Sequence, residues 1–266
     1  MAGIAREAKN KPLIGILGGV GPGATALLST LLVDRTEADY DQAHINTLVF
    51  NDASLPDRTA FILGESDVSP LDPLVHHAQL LERCGCTHLA LPCNTAHKWH
   101  EQIQAAVSIP LINMIELTAD ACQRQGLTRV GVAATRGTLH TQVYHAALKT
   151  RGIEPISPDE AGAAVISALI YDKVKAGIQT TQTDLDEVYR AFMDVGEGES
   201  CGASCDAEES AAVGDHPACD GVILGCTELS LAFDQHRAAP HGLTVIDSLS
   251  ELVTGIQQAT GVTARS

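Results

Sequence analysis

The sequence predicts an α/β protein made of two similar halves, each a parallel sheet covered by helices. Three observations carry that prediction. The 266 residues are 45 % hydrophobic but only 3 % aromatic, so the core must be built from Val, Ile, Leu and Ala. That mixture suits parallel strands buried on both faces. Short apolar runs alternate with helical patterns along the chain, the signature of βαβ units. Finally, segments of the first half recur in order in the second.

The elements follow one another plainly. Residues 13–17 form a short apolar run, then a glycine turn, then a helical pattern with Leu27, Leu28, Leu31 and Leu32 on one face. Residues 45–50 read as a second strand and 87–91 as a third. A helix is expected over 95–106 and a strand over 110–113. Residues 129–133 restart the cycle, with helices near 138–150, 160–176 and 182–194. Late strands are expected at 221–224 and 243–246, and a closing helix at 249–258.

The repeat aligns Ile14-Gly15-Ile16 with Val130-Gly131-Val132. It also aligns Leu91-Pro92-Cys93-Asn94-Thr95 with Leu224-Gly225-Cys226-Thr227-Glu228, and Leu111-Ile112-Asn113 with Val245-Ile246-Asp247. The later pairs lie further apart than the first, so the second half holds extra residues before Cys226. The acidic, aperiodic stretch 196–219 supplies them and reads as a surface insertion.

Charge narrows the function. Seventeen Lys plus Arg against 33 Asp plus Glu give a formal net charge of −16. That balance disfavours a nucleic-acid backbone or an anionic membrane surface as the main partner. No run approaches the ~18 apolar residues of a membrane span. The first twelve residues lack the apolar stretch of a secretory signal, so the expected compartment is a reducing cytosol. The eight cysteines are then expected as thiols, ligands or catalysts rather than disulfides.

Cys93 and Cys226 each follow an apolar strand and precede a helical pattern. Peptide N–H groups and a helix dipole at such a place lower a thiol pKa. A lone buried cysteine is ordinarily a small hydrophobe. Two equivalent ones, followed by Asn or Thr donors, point to catalysis. Two thiols from facing halves place a base on one side of a carbon and an acid on the other, the requirement of two-base racemisation. Asn94, Thr95 and Thr227 are placed to steady the carbanion through the substrate carboxylate.

Other motifs admit simpler roles. The turn Gly18-Gly19-Val20-Gly21-Pro22-Gly23-Ala24 loosely matches a dinucleotide fingerprint, but no acidic residue ends the second strand. Its backbone N–H groups, Gly19 among them, suit a carboxylate instead. Arg58, in the loop after the second strand, could clamp a carboxylate or pair with Asp57. Lys173 and Lys175 sit at a helix end, as dipole partners or site cations. Cys84 and Cys86 read as packing residues, and His97 and His100 as local structure. Cys201, Cys205, His216 and Cys219 offer a zinc-like set, yet their acidic setting favours an insertion without metal.

These residues together resemble the aspartate/glutamate racemase superfamily, the pyridoxal-phosphate-independent amino-acid racemases, and most closely its aspartate branch. The resemblance rests on residues 15–22, 41–44, 56–59, 91–97, 109–115 and 224–228. It implies two α/β domains related by a pseudo-twofold, with the active site in the cleft between them. One domain would comprise 12–116 plus 230–266, and the other 117–229 with the insertion. It further implies a homodimer without cofactor or metal, acting on aspartate, with glutamate as a further candidate. Cys93 would serve the D-enantiomer and Cys226 the L-enantiomer. Arg58 and Lys175 would hold the side-chain carboxylate. Asn51, Asn94, Thr95, Thr135 and Thr227 would hold the α-carboxylate and amino group, and Glu228 joins the substrate-binding set. Glu228 stands where glutamate racemases carry His, which favours aspartate. Hydantoin racemases, maleate isomerases and arylmalonate decarboxylase share the architecture and supply the alternative chemistry. A paralogue that binds an acidic amino acid without turning it over is the non-enzymatic alternative.

Overall fold

A computed structural model of the chain describes residues 11–193, 219–236 and 243–265. The insertion lies outside the described residues except for Cys219, and the zinc-like set goes with it.

Two four-stranded parallel sheets form the frame. The first contains β1 (Leu13–Gly18), β2 (Asn46–Asn51), β3 (His88–Ala90) and β4 (Leu111–Ile112), in the order β2-β1-β3-β4. The second contains β5 (Arg129–Ala134), β6 (Glu154–Ile156), β7 (Gly221–Gly225) and β8 (Thr244–Asp247), in the order β6-β5-β7-β8. The orders are the same one after the other, so the repeat read from sequence is a repeat of topology. Ile14 and Ile16 lie on β1 where Val130 and Val132 lie on β5.

Helices cover both faces of each sheet. In the first half, α1 (Pro22–Asp34) buries Leu28, Leu31 and Leu32 against Ile14, Ile16 and Ala90. On the other face, Leu74, Ala78 and Leu81 of α3 (Leu71–Arg83) pack with Leu89 and Leu91. Successive strand residues point to opposite faces, so each strand feeds both layers. Fully burying one such leucine contributes about 1.5–3 kcal/mol. Between β2 and α3 lies the short α2 (Arg58–Ile62). A 3₁₀ turn, Thr95–Trp99, leads into α4 (His100–Ala105), and α5 (Met114–Arg124) follows β4.

The second half repeats this plan. After β5 come α6 (Arg136–Thr141) and α7 (Val143–Lys149), parted at Gln142, whose φ of 55° breaks the single helix expected there. The helix expected over 160–176 is α8 (Glu160–Ala168), continued by a π-helical turn, Leu169–Val174. Then come α9 (Gln182–Arg190) and, after β7, α10 (Thr227–His236). The last helix, α11 (Ser248–Thr260), packs Leu249, Leu252, Val253 and Ile256 beside Ile14 and Ile16 of the first half. Within the expected first-domain segment 230–266, then, α11 returns to the first half while β8 pairs with β7 in the second sheet.

Helices α2, α3 and α5 and strand β6 escaped the sequence reading. Pro73 masks α3, yet it sits in the first turn, where a missing N–H costs nothing. Asn113 caps α5, its side chain accepting from Ile115 and Glu116 N–H at 3.0 and 3.2 Å. The halves meet closely beside the strand ends: a Cβ on Gly137 of α6 would lie 2.8 Å from Thr59 Oγ1 of α2. Only glycine allows that approach. Among the described residues no helix is long and apolar enough to cross a membrane.

Candidate active site

The strand ends of both halves converge on one small chamber. It is lined by Val20, Asp57, Arg58, Thr59, Cys93, Asn94 and Thr95 from the first half. Thr135, Tyr171, Lys175, Cys226, Thr227 and Glu228 come from the second. Its volume is about 20 Å³, room for roughly one water. An outer chamber of about 380 Å³ adjoins it. Asp57, Arg58, Lys175 and Glu228 line both.

Cys93 follows β3 and is 6 % exposed. Its backbone is held by His97, the side chain one turn on. Met114 N–H donates to His97 Nε2 at 3.1 Å, which leaves the ring proton on Nδ1, 2.8 Å from the Cys93 carbonyl that accepts it. Burial pushes the His97 pKa down to about 4, so the ring is neutral at pH 7. His97 is therefore local structure, as expected, but the structure it fixes is that of a chamber cysteine.

Arg58 is the first residue of α2 and faces Cys93. Asp57 does not pair with it there: its carboxylate caps α2 by accepting Ala60 N–H at 2.8 Å. The guanidinium instead donates from Nη1 to the Pro56 carbonyl at 3.0 Å, while Nε is buried without a partner. Burial works against the Arg58 charge, but Cys93, Asp57 and Glu228 nearby outweigh it and raise the pKa.

Asn94 is 2 % exposed. Tyr144 donates its hydroxyl proton to Asn94 Oδ1, which leaves Nδ2 as the free end of the amide. Nδ2 has no acceptor. A buried donor left unpaired costs about 1–3 kcal/mol, so the site is prepared for an acceptor from elsewhere. Thr95, Thr135 and Thr138 close a ring of three hydroxyls, 2.9–3.0 Å apart, that ties the halves together.

The second cysteine differs. Cys226 ends β7 at the start of α10 and is 5 % exposed. Its thiol donates to Glu228 Oε2 at 2.9 Å. Complete burial and the Glu228 carboxylate push the Cys226 pKa well above the ordinary thiol value. The expectation that strand end and helix dipole lower it is corrected: desolvation and an adjacent anion outweigh the dipole. Lys175 Nζ stands 4.0 Å from Glu228 Oε1 and 4.4 Å from the Tyr171 ring centroid. Burial lowers the Lys175 pKa but Glu228, Tyr171 and Cys226 raise it further, for a net increase.

Of the expected site residues, Cys93, Cys226, Arg58, Asn94, Thr95, Thr135, Lys175, Thr227 and Glu228 line the chamber. Gly19 does not. It lines the outer chamber, and its N–H already donates to Thr25 Oγ1 at 3.1 Å. Its φ of 88° and the Asp52 backbone, 2.1 Å from where a Cβ would lie, explain the glycine. Asn51 is exposed at the end of β2 and is absent from the chamber lining. Lys173 separates from Lys175 and pairs with Asp184. Cys86 packs in the core, whereas Cys84 is exposed, contrary to expectation. Among the described residues no His, Cys, Asp and Glu group is arranged to hold a metal. Tyr171 and Tyr144 were missed. Tyr171, four residues before Lys175, had a helical-neighbour spacing that could have found it; nothing in the sequence marks Tyr144.

A profile of the Asp/Glu/hydantoin racemase family matches residues 17–256. The chain belongs to that family. A broad-specificity amino-acid racemase of Bacillus subtilis is 29 % identical over 89 % of this chain and 92 % of that protein. Among solved structures, an aspartate racemase of Picrophilus torridus superposes with a TM-score of 0.74 at 23 % identity, over 96 % of each chain. A glutamate racemase of Francisella tularensis superposes with a TM-score of 0.61 at 18 % identity, over 94 % of this chain and 81 % of the other. At such identities the superpositions establish the two-sheet racemase fold rather than a substrate. Within that fold, the chamber of this family member lies at the carboxyl ends of the strands, where α/β sheets bind ligands.

Proposed function

We propose that the chain is an amino-acid racemase that interconverts L- and D-aspartate without pyridoxal phosphate, with Cys93 and Cys226 as its two bases. One observation carries the reading: two buried cysteines, from equivalent places in repeated halves, line one chamber whose Asn94 amide lacks an acceptor. One thiolate takes the Cα proton and the opposite thiol returns one to the other face. The resting form, with Cys226 as thiol, suits the enantiomer whose Cα–H faces Cys93, which the family resemblance assigns as D. Asn94 Nδ2 and the threonine hydroxyls meet the α-carboxylate, where charge develops in the carbanion. Arg58 and Lys175 meet the side-chain carboxylate.

The inner chamber holds about one water, so substrate entry requires the two halves to part, and the outer chamber receives what the inner one cannot. That added room, and the breadth of the Bacillus relative, extend the proposed range to glutamate. The division into domains is proposed to follow the two sheets, with α11 joined to the first. A homodimer in a reducing compartment such as the cytoplasm completes the proposal. The free thiols among the described cysteines are consistent with that compartment, and light scattering reads the assembly.

The test is proton NMR of L-aspartate with reduced protein in D2O, without added pyridoxal phosphate, followed by chiral chromatography. Loss of the Cα–H signal with D-aspartate appearing is the expected result. Binding without exchange would replace the racemase reading by that of an amino-acid-binding paralogue.

A further inference from the structure

A two-base racemase must restore its protons after every turnover. When Cys226 gives its proton to the carbanion and Cys93 keeps the one it took, product leaves an enzyme with the protons on the wrong sulfurs. The next turnover in the same direction waits until Cys226 regains a proton. Three observations show where that proton can come from. Cys226 is 5 % exposed and bonded to Glu228, so bulk water has little direct access to its sulfur. Glu228, itself 6 % exposed, lines both the inner and the outer chamber. Its two oxygens face different ways: Oε2 accepts from Cys226, while Oε1 faces Lys175 and the Gly21 turn of the outer chamber.

We infer that Glu228 is the proton relay that resets Cys226 between turnovers, exchanging its proton with water in the outer chamber. The inference rests on the racemase reading. After Cys226 has donated, a thiolate and a carboxylate face each other at hydrogen-bond distance. Two adjacent anions cannot both persist in a buried site, so their joint affinity for a proton rises. Glu228 takes one from a water of the outer chamber and passes it to Sγ, restoring the thiol and its own carboxylate. The hydroxide left behind is neutralised by the proton that Cys93 releases, so the net change is one proton moved from Cys93 to Cys226. In the opposite direction the same steps run backwards. The groups facing the carboxylate suit a relay. Lys175 Nζ stands 4.0 Å from Oε1, the Arg58 guanidinium lies close by, and Thr227 Oγ1 lies 3.4 Å from Oε2. The outer chamber, about 380 Å³, has room for several waters.

The chemical steps and the reset are separated by comparing two rates. Net conversion of one pure enantiomer at high concentration is limited by the reset. Interconversion of isotope label between the two pools at equilibrium needs no reset, because each enantiomer restores the form the other requires. For Glu228→Gln, net conversion is expected to fall on the order of a hundredfold, with label interconversion reduced far less. Formate is expected to restore net conversion by carrying the proton. Glu228→Asp, which keeps a withdrawn carboxylate, should show the same split in smaller measure, and it serves where the Gln variant does not fold. Equal loss of both rates overturns the relay, as does wild-type net conversion in Glu228→Gln. A wild-type protein that interconverts no label overturns the racemase reading itself, and the relay with it.

Discussion

The two halves share a strand order, yet they treat their cysteines in opposite ways. Two residues after Cys93 stands Thr95, a member of a neutral hydroxyl ring; two after Cys226 stands Glu228, a buried carboxylate bonded to the sulfur. Four residues after Cys93, His97 holds the Cys93 carbonyl and Met114 N–H. Four after Cys226, Ser230 donates to Asp247, the cap of α11. Asn113 and Asp247 cap equivalent helices. The scaffold is therefore symmetric where it sets position and asymmetric where it sets charge. A racemic substrate needs the first property. The proposed mechanism, in which Cys226 holds its proton at rest, needs the second.

The most direct way to break the comparison is to remove each thiol. Cys93→Ser and Cys226→Ser are each expected to lower racemisation about a thousandfold or more. The two differ in what survives. Cys226→Ser keeps Arg58 beside Cys93 and should retain Cα–H exchange on one enantiomer in D2O. Cys93→Ser leaves only a sulfur that rests as a thiol, and its residual exchange should be weaker and confined to the other enantiomer. NMR on each pure enantiomer reads both, and equal residual exchange from the two variants would contradict the asymmetry.

How much of this was legible beforehand follows from the same contrast. Position was legible: the apolar runs of β1 and β5 and the two cysteine motifs repeat because both halves solve one packing problem. Charge was only partly legible. Glu228 was visible as a departure from the glutamate racemases, but its bond to Cys226 depends on a side-chain orientation that no spacing reveals. Gly19 and Asn51 stand outside the inner chamber because a backbone N–H and an amide find their places in three dimensions, here against Thr25 for the first and at the exposed end of β2 for the second. Helix α3 was hidden because Pro73 and His76–His77 interrupt its pattern, although Leu74, Ala78 and Leu81 keep the helical period.

A second test sharpens the comparison through stability. His97 has no counterpart in the second half, and its folded pKa of about 4 lies below the unfolded value of 6.5. Between those limits the unfolded chain binds a proton that the folded chain refuses, so stability falls as pH drops from 6.5 towards 4 and levels below that. The shift corresponds to about 3 kcal/mol. Urea unfolding at pH 7 and pH 4.5 should therefore show a smaller acid loss in His97→Gln than in wild type, whatever the variant's stability at pH 7. An unchanged acid loss would place the proton sensitivity elsewhere.

Arg58 comes from the first half and faces Cys93, and its loss is expected to act on binding. A charge-assisted hydrogen bond contributes about 1.5–3 kcal/mol, so Arg58→Ala should raise KM for aspartate about tenfold to a hundredfold. Alanine, which lacks the side-chain carboxylate, should be affected much less. Equal changes for both substrates would move Arg58 from recognition of the side chain to support of Cys93.

The smallest expected effect tests the most indirect contact. Tyr144, fully buried in the second half, reaches across to Asn94 in the first, and burial holds its phenol pKa far above neutrality. At working pH the phenol is thus a donor, and a donor on Oδ1 dictates which end of the amide faces the chamber. Removing it frees the amide to turn its oxygen towards an anionic substrate, which repels. Tyr144→Phe keeps the ring and loses about 1 kcal/mol of hydrogen bonding, equivalent to several-fold. The loss should appear as a raised KM with kcat nearly kept if Asn94 grips the ground-state carboxylate. It should appear in kcat if the amide tightens only on the carbanion. That split reports which stage of the reaction the second half supports through its reach into the first. Asn94→Ala combined with Tyr144→Phe should add little to Asn94→Ala alone, because the tyrosine acts only through the amide.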